Sequence, residues 1–249
     1  MAQNDKATCS LLIIQPNTTV SMTEGLKPLV NSLSFDTTMY TYFTAPSGVP
    51  SINNEDDAAV SAKACLPALK EKLNDYDGFL VCCYSQHPLV GQLRSEIAKL
   101  GFHGKAVTGI FEASVATCLQ STDLKAKFGI VSTGAQWTEI LGHAVSELLG
   151  VAGSTRYAGT ETTGLNADEL HSTPKAEVDR RMKEATKRLV GKGDVQAICL
   201  GCAGMAGMDE VVREGCLEAL GEEKGRRVKI VDGVVSGVVF LEGALRSGL

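Results

Sequence analysis

No stretch of the chain approaches the roughly 20 consecutive apolar residues that a membrane-spanning helix needs, so the sequence predicts no membrane association. The apolar run in the N-terminal MAQNDKATCSLLIIQPN covers only residues 11–14, too short for the core of a signal peptide. A basic excess is also missing. The net charge is −5 with Lys and Arg scattered, which argues against nucleic acid as a partner. No dinucleotide fingerprint is present, because GCAGMAG (201–207) has glycines after a predicted strand but not the G-x-G-x-x-G spacing. The four histidines (His87, His103, His143, His171) form no metal-ligand spacing with one another or with a cysteine, so no metal is expected. The chain reads as a cytoplasmic protein, in which eight cysteines are reduced thiols rather than a disulfide framework.

What is present is an ordinary globular composition, 44% hydrophobic and 21% charged, able to bury a full core. Short runs rich in Val, Ile and Leu at 10–15, 79–84, 105–111, 128–133, 195–201 and 227–233 predict strands buried on both faces. Stretches at 89–101, 137–150 and 169–193 carry apolar residues at three- and four-residue spacing and predict helices. Continuous apolar strands alternating with amphipathic helices imply mainly parallel sheet flanked by helices, an α/β fold. The segments 44–54 and 152–166 read as long loops, which in compact α/β proteins commonly bind ligands.

The sequence also repeats. Asn17 and Thr133, Cys83 and Cys202, and Glu112 and Asp232 follow predicted strands at offsets of 116, 119 and 120 residues. Three landmarks at nearly constant offset predict two α/β halves of one plan. Ligands of open α/β sheets lie beyond the carboxyl ends of the strands, so facing halves would bring Cys83 and Cys202 to opposite walls of one cleft.

Of the eight cysteines, Cys9, Cys65, Cys118 and Cys216 have no special neighbours and read as small buried residues, as do Cys82 and Cys199 inside strands. Cys83 and Cys202 differ, since each is expected at a strand-to-helix junction. There, free backbone N–H groups and a helix dipole would favour thiolate, whereas an unperturbed thiol is only about 3% ionised at pH 7. The N–H groups of Tyr84, Ser85, Ala203 and Gly204 would bind a carbonyl or carboxylate oxygen. Glycines 201, 204 and 207 permit close backbone approach. A four-thiolate zinc site would need Cys82 and Cys83 to converge, although neighbours on a strand face opposite ways. A Cys-x-x-Cys redox pair would need Cys199 at a helix start rather than inside a strand. Glu112 and Asp232 read as helix caps in preference to acid–base catalysts, His87 as a solvent-facing loop residue, and Trp137 equally as pocket wall or core anchor.

At these residues the chain resembles the Asp/Glu/hydantoin racemase family, specifically its hydantoin and allantoin racemase branch. The family's Asn-Pro-Asn-Thr strand end corresponds to Gln15-Pro16-Asn17-Thr18, with Gln in place of the first Asn. Its first cysteine segment corresponds to residues 82–88, Gly-Ile-x-Glu-Ala to 109–113, and Gly-Cys-Ala-Gly-Met to 201–205; the closing Asp-Gly-Val stands at 232–234. The resemblance implies a cofactor-independent racemase of two pseudo-symmetric domains, 1–104 plus 224–249 against 105–223, with its active site between them. It implies Cys83 and Cys202 as the two bases of a Cα proton transfer, acting on a small molecule such as a 5-substituted hydantoin or allantoin. Asn17 and Thr133 would orient the ring, with Tyr84, Ser85, Ala203 and Gly204 beside it. Assembly into a homo-oligomer is a further implication. Amino-acid racemisation, a decarboxylase or cis–trans isomerase on the same scaffold, and non-catalytic metabolite binding stay open as alternatives.

Overall fold

The computed structural model describes residues 9–249; residues 1–8, within the stretch read above for a signal peptide, lie outside them. The first repeat runs β1 (Cys9–Gln15), α1 (Val20–Ser32), β2 (Thr38–Thr44), α2 (Glu55–Lys70), β3 (Gly78–Val81), α3 (Pro88–Lys99), β4 (Ala106–Gly109) and α4 (Ile110–Ser121). The second runs β5 (Lys127–Ser132), α5 (Trp137–Leu149), β6 (Tyr157–Thr162), the single turn α6 (Glu169–Ser172), α7 (Lys175–Val190) and β7 (Val195–Gly201). After a short 3-10 turn (Ala203–Met205) it ends with α8 (Asp209–Arg227), β8 (Lys229–Asp232) and α9 (Gly233–Ser247). The strands form two four-stranded sheets ordered β2-β1-β3-β4 and β6-β5-β7-β8, every pairing parallel. The repeat read from three spacings is thus a repeat of topology.

Strand alternation builds three layers of core. Leu11, Ile13, Leu80 and Cys82 of the first sheet, and Phe128, Ile130, Ala197 and Cys199 of the second, face inward onto one central cluster shared by both halves. Their neighbours turn outward. Leu12, Ile14, Phe79 and Val81 meet residues of α2 and α3, while Val131, Ile198 and Leu200 meet residues of α7 and α8. Helices α4 and α9 fill the central layer and pack on each other, but they are exchanged between the sheets. Helix α4 follows β4 yet lies on β7 and β8, where Cys118 and Cys199 bring their sulfurs to 3.2 Å; α9 follows β8 and lies on β3 and β4. There it passes so close that a Cβ on Gly237 would sit 2.3 Å from a methyl of Leu80.

This pairing moves the crossings. Boundaries at 104/105 and 223/224 would separate β4 and β8 from the sheets that hydrogen-bond them, so the chain changes half after Gly109 and after Asp232. Two edge strands also went unread. In β2 exposure alternates, and β6 is partly buried along most of its length inside the segment expected to be a loop; neither presents the two-faced apolar run of an inner strand. Pro174 divides the helix expected over 169–193 into α6 and α7. The third landmark pair is displaced as well. The structural counterpart of Asp232, which caps α9 by accepting from the N–H groups of Val234 and Val235, is Gly109, the N-cap of α4. Glu112 sits one turn inside α4 and folds its carboxyl back over that glycine, where a Cβ would lie 2.3 Å from Oε2. Asp232 thus serves a helix start, as the sequence suggested, whereas Glu112 leans over the start of α4 with Oε2 buried and unpartnered among the described residues.

His87 departs from its expectation. It is 2% exposed, and its Nδ1 accepts the Leu89 N–H at 3.3 Å as the N-cap of α3, while Nε2 is buried without a partner. Burial lowers its pKa to about 4. The imidazole is therefore neutral when folded over a range in which the unfolded chain takes up a proton, and stability falls as pH drops from about 6.5 towards 4, by up to about 3 kcal/mol. Urea unfolding from pH 7 to 4 should show this slope in the wild type. The slope should be shallower in His87→Asn, which keeps a capping acceptor but cannot titrate.

Candidate active site

The carboxyl ends of the inner strands meet at one cavity. From β1 come Gln15 and Asn17, from beyond β3 Cys83 and Tyr84, from beyond β5 Thr133, and from beyond β7 the run 201–204. Ile52 of the 45–54 loop and Trp137 at the start of α5 complete its walls. The cavity encloses about 40 Å³, room for about three water molecules when one needs roughly 10–15 Å³. Among the described residues, no Lys, Arg, His, Asp or Glu lines it.

Each thiol reaches the cavity by local backbone logic. Cys82 completes the inward face of its strand in the central core, so Cys83 turns the other way, against Ile52 and Ala58, with Sγ 3.4 Å from the Ser85 hydroxyl. Cys82 also borders the cavity, with its thiol in the central core 3.9 Å from the Leu80 carbonyl oxygen. Cys202 is the N-cap of the 3-10 turn, and its Sγ accepts the Gly204 N–H at 3.3 Å. Gly201 lets β7 press on β5: a Cβ there would stand 2.8 Å from the Val131 carbonyl oxygen and 2.9 Å from the Ser132 Cβ. Any larger residue would displace the turn that carries Cys202. Gly207, at φ +78°, ends that turn in the left-handed region.

The electrostatics reverse the sequence expectation. Burial pushes the Cys83 thiol up to about 12, against a lowering by the Ser85 hydroxyl, with Cys202 and Glu112 adding to the rise. Burial likewise raises Cys202 to about 11, against backbone N–H groups of Gly204 and Met205. The dipole argument is weak on both sides. Helix α3 begins at Pro88, five residues after Cys83, and the helical piece after Cys202 has three residues.

The predicted contact residues divide. Asn17 and Thr133 are buried and line the cavity; the Asn17 carboxamide is fixed through the Thr19 N–H at 3.0 Å and the Met22 sulfur at 3.2 Å. Tyr84 lines it too, but its hydroxyl is committed to Ser114 at 2.8 Å and its ring stands edge-on to Phe111. Ser85 addresses the Cys83 sulfur and a neighbouring cavity instead. Ala203 and Gly204 lie on the wall, where the Gly204 N–H serves the thiol and not an incoming oxygen. Trp137 is both wall and core, lining the cavity at 4% exposure within the central cluster. Gln15 was missed: it is 3% exposed, and its Oε1 has no hydrogen-bond partner among the described residues. Its place as the last residue of β1 was the available signal. Residues beside the lining also tie the halves together, as Gln136 Nε2 donates to the Asn53 carbonyl at 3.0 Å and to Asn166 Oδ1 at 3.3 Å.

Two parallel α/β halves of identical strand order each bring a thiol to one shared cavity, and the proteins that this chain matches make it a racemase, which is an isomerase. The chain belongs to the Asp/Glu/hydantoin racemase family, whose model matches residues 11–241. An uncharacterized protein of Schizosaccharomyces pombe is 33% identical over 96% of this chain and 93% of its own. A hydantoin racemase of a Pseudomonas species is 28% identical over 92% of this chain and 83% of its own. In fold the chain is similar to the allantoin racemase from Pseudomonas fluorescens, with a TM-score of 0.80 at 22% identity over 96% of this chain and 92% of that one.

The raised thiol pKa values predict slow alkylation at neutral pH. Rates with iodoacetamide, read by peptide mass spectrometry, should climb about tenfold per pH unit between pH 7 and 9, as thiolate fraction does below the pKa, with Cys202 ahead of Cys83. A plateau below pH 9 would contradict this electrostatic account.

Proposed function

We propose that the protein racemises a neutral cyclic ureide, a 5-substituted hydantoin or allantoin, by two-base proton transfer between Cys83 and Cys202. The observation that carries this reading is that thiols from equivalent strand ends line the same uncharged cavity. In one direction the Cys202 thiolate takes the proton from the ring carbon, and the C–H electron pair delocalises onto the adjacent carbonyl as an enolate. The Cys83 thiol then protonates the opposite face, leaving Cys83 as thiolate and Cys202 as thiol. One negative charge is conserved throughout, and the reverse reaction exchanges the two roles.

The electrostatics support this chemistry. A thiolate held in a cavity with room for only a few waters is scarce but strongly basic, which suits removal of a proton from carbon. The two thiols are raised to similar values, about 12 and about 11. That near-match suits a reaction whose enantiomeric substrate and product are equal in energy, because neither direction meets a much weaker base. The Ala203 N–H, in the first position of a helical turn where no intrahelical partner exists, is available to the enolate oxygen. Asn17, Thr133 and the free Gln15 oxygen would orient ring N–H and carbonyl groups. The uncharged lining favours a ureide over an amino acid or a diacid, whose carboxylates would enter without a cation to meet them.

Proton NMR in D₂O should show loss of the ring C–H signal of allantoin or a 5-substituted hydantoin together with loss of optical rotation. Cys83→Ala and Cys202→Ala should each lower racemisation in both directions by at least about 100-fold, the scale of a lost acid or base. A thiol left on one face can still exchange the enantiomer whose hydrogen points at it, so the two variants should exchange opposite enantiomers without inverting them. Full turnover by either variant would refute the base pair. Binding without any exchange in the wild type would indicate a metabolite-binding protein instead.

A further inference from the structure

A second cavity, of about 190 Å³, adjoins the first. Trp137 lines both, and the Cys83–Ser85 pair spans them, with Cys83 on the small cavity and Ser85 on the large one. The larger cavity is graded. Its inner wall is buried and mostly apolar, made by Ala58, Trp137 and Ala144 with the Ser85 hydroxyl, whereas its rim is exposed and polar, with Asn54, Glu55, Gln86 and His143. His143 is paired with Glu147 at 3.1 Å, which leaves the Glu55 carboxylate and the Gln86 carboxamide oxygen as rim groups with lone pairs to offer. The first half supplies Glu55 and Gln86 and the second supplies Trp137, so an occupant would be gripped by both.

Resting on the ring chemistry proposed above, we infer that this cavity is the subsite for the ring's substituent, and that it takes a neutral arm ending in N–H donors, of the ureido or carboxamide kind. The first cavity has room for only about three waters, so an arm on the ring must lie outside it, and the larger cavity is the neighbouring space. A planar arm leaving the ring beside Cys83 would run along the Trp137 indole and reach Glu55 and Gln86 at the rim. There its N–H groups meet acceptors, while an arm ending in carboxylate meets the like charge of Glu55.

The test compares C5–H exchange in D₂O for three rings: unsubstituted hydantoin, allantoin with its ureido arm, and 5-carboxymethylhydantoin with an anionic one. Hydantoin has no arm and reads the ring site alone. The wild type should prefer allantoin to the carboxymethyl compound by at least about tenfold in kcat/KM, the effect of one charge-assisted contact. In Glu55→Gln the carboxymethyl-to-hydantoin ratio should rise about tenfold, and in Gln86→Ala the allantoin-to-hydantoin ratio should fall about fivefold. If hydantoin exchanges while these ratios are the same in wild type and both variants, the subsite assignment is overturned and the ring chemistry stands. If none of the three rings exchanges, the ring chemistry is overturned and the subsite with it.

Discussion

Cys83 is buried and Cys202 half-buried where the carboxyl ends of two parallel sheets meet, and among the described residues no charged side chain lines their cavity. A sulfur that ionised there would exchange solvation for a few weak donors, the Ser85 hydroxyl on one side and two backbone N–H groups on the other. Both thiols are therefore held protonated, and both would be strong bases once a proton is removed. The rest of the architecture serves that condition. The strand ends bring the sulfurs to one place, the 45–54 loop and Trp137 exclude solvent, and the uncharged lining keeps the local dielectric low.

Much of this was legible before any coordinates. The inner strands announce themselves because residues such as Leu11 to Ile14 and Ile198 to Leu200 are buried on both sides, giving uninterrupted apolar runs. The repeat was readable for a related reason, as each half must end equivalent strands at the same cavity. Edge strands β2 and β6 escaped because one side of each is left partly open, which erases that signal. The site was half legible. Identity and spacing located the thiols, but their ionisation depends on what surrounds them, and local sequence suggested a helix dipole, whereas α3 begins five residues after Cys83. His87 failed in the same manner: a polar residue in a loop reads as exposed until packing shows it beneath the start of a helix.

The cavity's rigidity comes from contacts between the halves rather than within either. Tyr84 leaves the first half to bond Ser114 on α4, and Gln136 reaches back from the second to the Asn53 carbonyl. Under the proposed two-base chemistry the thiols would tolerate little relative movement, because a base displaced by an ångström is no longer in line with its proton. These ties hold the two walls in register.

The exchange of α4 and α9 between the sheets has a consequence for how the molecule is made. The first sheet has all four of its strands once Gly109 has been synthesised, yet α9, a helix that covers its inner face, comes only after β8. Until then Leu11, Ile13 and Leu80 have no α9 to lie against, and the nascent chain carries a sticky surface through the production of more than a hundred further residues. Each sheet is thus covered by a helix that the other sheet's last strand leads into, and the two halves share one core.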